Sequence, residues 1–106
     1  MANNSIWKIL TCAAGDITIA TGVATRTIKL QHIFISVKNK CDMYFFYDKS
    51  GADVKVFPTI HFVSNGSFTT RDGSSLEIMI PDGKDLQVNF TEDPGTEIGV
   101  IYQVVN

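Results

Sequence analysis

Lys40-Cys41-Asp42-Met43-Tyr44-Phe45-Phe46-Tyr47-Asp48 carries four aromatic side chains in consecutive positions. In an extended strand, successive side chains point to opposite faces. Cys41, Met43, Phe45 and Tyr47 then share one face, and Asp42, Tyr44, Phe46 and Asp48 the other. The first set meets a core. The second still holds Tyr44 and Phe46, so this strand is covered on both sides, by its own domain or by a neighbour. It reads as the central strand of a small β-sandwich that is oligomeric.

The chain upstream repeats the pattern. Arg26 to Lys38 is long for one strand, and its apolar phase changes partway. Ile28 and Leu30 share one phase; Ile33, Ile35 and Val37 share the other. A β-bulge or bend at Gln31-His32 restores one apolar face along the run. Ile17 to Thr21 alternates and is rich in β-branched residues, and Ala14-Gly15-Asp16 before it is a turn. Ser5 to Ala13 is a first extended segment after a polar tail, Ala2 to Ser5. Ile6, Lys8, Leu10 and Cys12 fall on one face and Trp7, Ile9 and Thr11 on the other. Trp7 needs a surface to lie on, either its own sandwich or a neighbouring subunit.

Lys38-Asn39-Lys40 is a polar link that suits a tight hairpin, since Asn tolerates positive φ. Downstream, Lys49-Ser50-Gly51-Ala52-Asp53 is a turn, followed by a strand from Val54 to Val63. Pro58 cannot donate to a ladder, which puts it on an edge or at a bend. Ser64-Asn65-Gly66-Ser67 closes a hairpin or loop, Phe68 to Arg71 is short, and Asp72-Gly73-Ser74-Ser75 turns again. Leu76, Ile78 and Ile80 alternate with polar positions. Pro81-Asp82-Gly83-Lys84 is a turn, because Pro fixes φ and Gly supplies a positive one. Leu86, Val88 and Phe90 form a half-buried strand. Glu97 to Val105 is the last, with Ile98, Val100, Tyr102 and Val104 inward and Ile101 and Val105 outward.

About eight short strands, and no apolar period of 3.6 residues, give an all-β class. The expected architecture is a two-sheet antiparallel sandwich of the jelly-roll kind. Residues 1–13 form an N-terminal arm or first strand and residues 14–106 a single β-sandwich domain. At 106 residues, 44% hydrophobic and 19% charged, the chain suffices for one thin core, to which oligomerisation adds burial. Its net charge of −2 and scattered Lys and Arg argue against a phosphate-tracking surface, so nucleic acid is not expected as a partner. No stretch approaches a membrane-spanning length. No secretory leader opens the sequence, so Cys12 and Cys41 are expected as free thiols in a reducing cytoplasm, and the Asn-x-Ser/Thr triplets at Asn3, Asn65 and Asn89 carry no glycan.

Chemistry-bearing constellations are sparse. His32, His61, Cys12 and Cys41 show none of the short spacings that zinc sites favour. Asp48 to Asp53 has part of a calcium loop's oxygens but no later bidentate Glu, so it reads as a solvated turn. Glu92-Asp93 are adjacent acids in a turn. There is no Gly-x-Ser-x-Gly, phosphate loop or Cys-x-x-Cys. Neither an enzyme nor a cofactor site is expected. Trp7, Tyr44, Phe46 and Phe57 are the best aromatics for a recognition surface, against the alternative that they complete the core.

Gly22-Val23-Ala24-Thr25-Arg26-Thr27-Ile28-Lys29-Leu30, the alternation Ile33-Phe34-Ile35-Ser36-Val37, the step Ser64-Asn65-Gly66, the strand Gly83-Lys84-Asp85-Leu86-Gln87-Val88 and the end Ile98-Gly99-Val100-Ile101-Tyr102-Gln103-Val104 form a layout. Over residues 15–106 it resembles small all-β virion proteins of tailed bacteriophages, of the capsid decoration (cement) type. It departs at Ser75-Leu76-Glu77-Ile78, where that pattern has an aromatic pair. The resemblance implies a non-enzymatic structural protein that trimerises, binds the major capsid protein and stabilises the shell, assembling in the host cytoplasm onto the capsid surface. Trp7, Ile9, Tyr44, Phe46, Ile101 and Val105 are the expected interface residues. The alternatives are a carbohydrate- or receptor-binding module of a phage fibre and a head-tail or tail component.

Overall fold

The computed structural model describes residues 5–70 and 76–105. Strands β1 (Ser5–Thr11), β10 (Glu97–Val105) and β3 (Thr27–Ser36) run side by side in one sheet, and both β7 (Ser67–Thr69) and β8 (Ile78–Ile80) pair the far edge of β3. The second sheet places β2 (Gly15–Ala20), β9 (Leu86–Phe90) and β4 (Cys41–Lys49) in order, with β5 (Ala52–Lys55) and β6 (Ile60–Phe62) both on the far edge of β4. Every pairing is antiparallel. Counting β5/β6 and β7/β8 as two broken strands leaves eight positions, and the orders 1-10-3-(7,8) and 2-9-4-(5,6) are those of a jelly roll. The expected all-β sandwich is what the chain forms.

The aromatic strand sits where its pattern places it. Cys41, Met43 and Phe45 are buried, and they meet Ile28, Leu30, Ile33 and Ile35 of β3 in one continuous core. Leu86, Val88 and Phe90 of β9 and Ile98, Val100 and Tyr102 of β10 complete it. The change of phase in β3 is a bulge: Ile101 faces His32 and Tyr102 faces Leu30, which leaves Gln31 as the extra residue. The freed Gln31 carbonyl accepts from the N–H of Leu76 at 2.9 Å.

Two connections differ from expectation. Lys38-Asn39-Lys40 does not close a hairpin. β3 and β4 lie in different sheets, and both edges of each are taken by other strands. Crossing over packs their apolar faces against each other, and the amides of Lys38 and Asn39 both donate to the Pro94 carbonyl at 2.9 and 3.1 Å. The run from Val54 to Val63 is not one strand but β5 and β6, broken around Pro58. The turn at Ser50-Gly51 is a hairpin loop between Lys49 and Ala52, with φ of 55° and 86°, the left-handed pair of a type I′ turn. The expected turn at Asp72-Gly73-Ser74-Ser75 and the tail before Ser5 lie outside the described residues.

Candidate interaction surface

In the first sheet, the core takes Leu10 of β1 and Cys12 just beyond it, so Trp7 and Ile9 point out. The same phase continues across the sheet. Trp7 lies beside Ile101 and then His32, and Ile9 beside Gly99, Phe34 and Thr69. The Trp7 indole leans diagonally over Gly99, where a Cβ would come within 2.6 Å of its ring. It reaches the Phe34 ring edge-on, with centroids 5.3 Å apart and planes at 70°. Such pairs add roughly 0.5–1.5 kcal/mol beyond area burial. Trp7 nevertheless remains 53% exposed and Ile9 56% exposed. Polar groups flank the patch. His32 Nδ1 lies 3.0 Å from the Thr70 hydroxyl, which also accepts from the Ile33 amide at 3.2 Å. Ser5 Oγ donates to Gln31 Oε1 at 2.8 Å.

The outer face of the second sheet is different in kind. Asn89 donates to Asp16 at 2.6 Å, and His61 pairs with Asp42 at 2.8 Å, both exposed. Tyr44 donates its hydroxyl to Asp53 at 3.0 Å, and the Lys55 ammonium sits 4.9 Å from its ring centroid. Desolvation, then the Asp53 hydrogen bond and charge, push the Tyr44 hydroxyl pKa up. Phe46 has the outward phase yet is only 1% exposed, with the Tyr44 ring 5.4 Å away and Lys55 and Gln87 on either side in the ladder.

The six expected interface residues therefore divide between two faces. Trp7, Ile9 and Ile101 come together on the first sheet. Val105 lies further along β10 on the same side, beyond Gln103. Tyr44 and Phe46 belong to the opposite side of the molecule, and Phe46 is already covered by its own chain. Phe57 packs against Phe68 at 5.7 Å beside the core rather than on a surface. Phe34 and Gly99 complete the apolar face and were not anticipated. Phe34 could have been found from its phase, opposite to Ile33 and Ile35; Gly99 shows its part only once β1 is known to lie beside β10.

Elsewhere, Cys12 and Cys41 are buried free thiols. Burial pushes the Cys12 thiol up to about 11, against the Ile98 backbone hydrogen bond, and the charges of Asp93, Cys41 and Glu97 add to the rise. Cys41 is raised by burial and by Asp42 and Glu92. An open cleft beside Cys12 is lined by Thr11, Asp93, Gly95, Thr96 and Glu97. Among the described residues, no group of three or more His, Cys, Asp or Glu is placed to hold a metal ion. Among the same residues, no helix is long and apolar enough to cross a membrane. No protein-family model, curated protein or solved structure matches the chain.

Proposed function

We propose that this chain is a non-enzymatic structural protein that works by surface contact: a self-associating virion component of the capsid-decoration kind, which adheres to a phage shell and stabilises it. The observation that carries the reading is the outer face of the first sheet, where Trp7, Ile9, Phe34 and Ile101 are contiguous. A solvated sheet face normally carries polar side chains, as the outer face of the second sheet does. A cluster of large apolar groups rimmed by polar ones marks a contact surface. The sequence layout supplies the kind of partner, a major capsid protein at the virion surface, and the jelly-roll frame is one that capsid proteins use.

Co-sedimentation of the purified protein with phage shells lacking a decoration protein tests this. Saturable binding is expected, weakened at least about tenfold by Trp7→Ser combined with Ile9→Ser, since each removes apolar burial worth ~1.5–3 kcal/mol. Shells left bare at high protein concentration, or a double variant that binds like the parent, would sink it. Glycan-array hits that need Trp7 would replace it with the carbohydrate-binding reading.

A further inference from the structure

A sandwich with two open sheets has four edges, each a row of unpaired N–H and C=O groups that can recruit another strand. Three carry devices that prevent this. β2 contains a register shift between Thr18 and Ala20 and bears Asp16. The β5/β6 edge is interrupted around Pro58, and the β7/β8 edge presents, among the described residues, two strands of only three residues each. β1 differs from all three. It is seven residues long, pairs with β10 without a register shift, and contains neither Pro nor Gly. Its single charge, Lys8, is turned inward and across to the other sheet, where its ammonium donates to the Ile19 carbonyl at 2.7 Å. The residue that would guard this edge is engaged elsewhere. Among the described residues, no strand pairs with the far side of β1.

The pairing parity says what that side offers. The Cys12 amide donates to the Thr96 carbonyl at 3.2 Å, so the even-numbered residues of β1 turn their backbone groups toward β10. Ser5, Trp7, Ile9 and Thr11 therefore direct theirs outward. We propose that this edge pairs antiparallel with β1 of a second copy, joining the two first sheets into one across a two-fold axis. An antiparallel strand paired with its own copy is self-complementary by symmetry. The register that uses the whole strand sets Trp7 opposite Ile9 of the partner subunit and Ser5 opposite Thr11 of the partner subunit. It also joins the two apolar outer faces. Lys8 falls at the axis on the inner side, with its ammonium already held by its own Ile19 carbonyl.

The inference rests on the self-association within the proposed function and makes it a pair rather than the trimer that the family resemblance implies, and its test separates the two. The mass of the intact protein is measured by light scattering across concentrations, and amide exchange is read residue by residue. A dimer is expected, with the Trp7, Ile9 and Thr11 amides protected at least about tenfold more in concentrated than in dilute samples. Ile9→Pro deletes an outward N–H while sparing the ladder to β10, and is expected to weaken the dimer by at least about 30-fold; Ile9→Thr, which keeps the N–H, is expected to retain it. The exchange pattern of the parent protein decides the question even if the proline variant does not fold. A trimer, or any oligomer whose odd-numbered β1 amides exchange freely, overturns the edge pairing and leaves the shell-binding reading standing. A monomer overturns the pairing and the self-association with it, and shells left bare remove the shell-binding reading whatever the oligomeric state.

Discussion

Two glycines meet the same kind of crowding with opposite consequences. A Cβ on Gly22 would lie 2.5 Å from the Gly83 carbonyl carbon and oxygen and 2.6 Å from that of Lys84, all backbone. Neither loop can give, because the Gly22 amide is tied to Asp85 at 2.6 Å and the Gly83 amide to the Val23 carbonyl at 3.1 Å. Gly22→Ala is expected to cost roughly 2–3 kcal/mol, seen as a lowered melting temperature; an unchanged melt refutes this. At Gly99 the obstacle is the far end of a half-exposed side chain, so Gly99→Ala moves the indole at a cost below about 1 kcal/mol. Trp7 is the single tryptophan, so its emission reports that displacement directly. The thiols give a pH test. Cys12 ionises near 9 when unfolded and about 11 when folded, so its contribution is full below 9 and lost as pH rises between these values. Urea titrations should show stability falling by up to about 2–3 kcal/mol over that window, less steeply in Cys12→Ala.

At the scale of the element, the bulge in β3 keeps the two halves of a long strand on one apolar face. Removing Gln31 would set Ile28 and Leu30 on the outer face or Ile33 and Ile35 there, since a slip of one residue reverses every side chain. Deletion of Gln31 should abolish the cooperative transition, and a near-parental melt would show that the bulge is dispensable. This feature was legible in the sequence because burial demands one continuous apolar face, and the break in phase locates the extra residue. The hairpin expected at Lys38-Asn39-Lys40 failed for a complementary reason. Turn chemistry is local, whereas the choice between pairing neighbouring strands and packing them face to face depends on which edges distant strands occupy. Here β10 and β9, far along the chain, take one edge of β3 and one of β4, and β7/β8 and β5/β6 take the others.

For the whole molecule, the inward residues were readable strand by strand, and strand order was not. The candidate surface was half readable. Trp7, Ile9 and Ile101 share an outward phase, but that they adjoin one another follows from the pairing of the first strand with the last. Phe46 shows the limit of phase alone: an outward position is not an exposed one. Phe46→Ala should therefore destabilise the fold by ~3 kcal/mol, as buried Phe truncations do, seen as a lowered denaturation midpoint; a midpoint like the parent's would refute it.

The broken and bulged edges bear on how far assembly can run. With one competent edge among the described residues, each molecule has a valence of one: a first contact consumes it, and the described strands of the joined pair offer no other regular edge for a third. Raising the concentration should then fill pairs rather than lengthen chains. Repairing one interrupted edge, for instance by replacing Pro58 with a β-branched residue, should convert a self-limiting pair into a protein that polymerises.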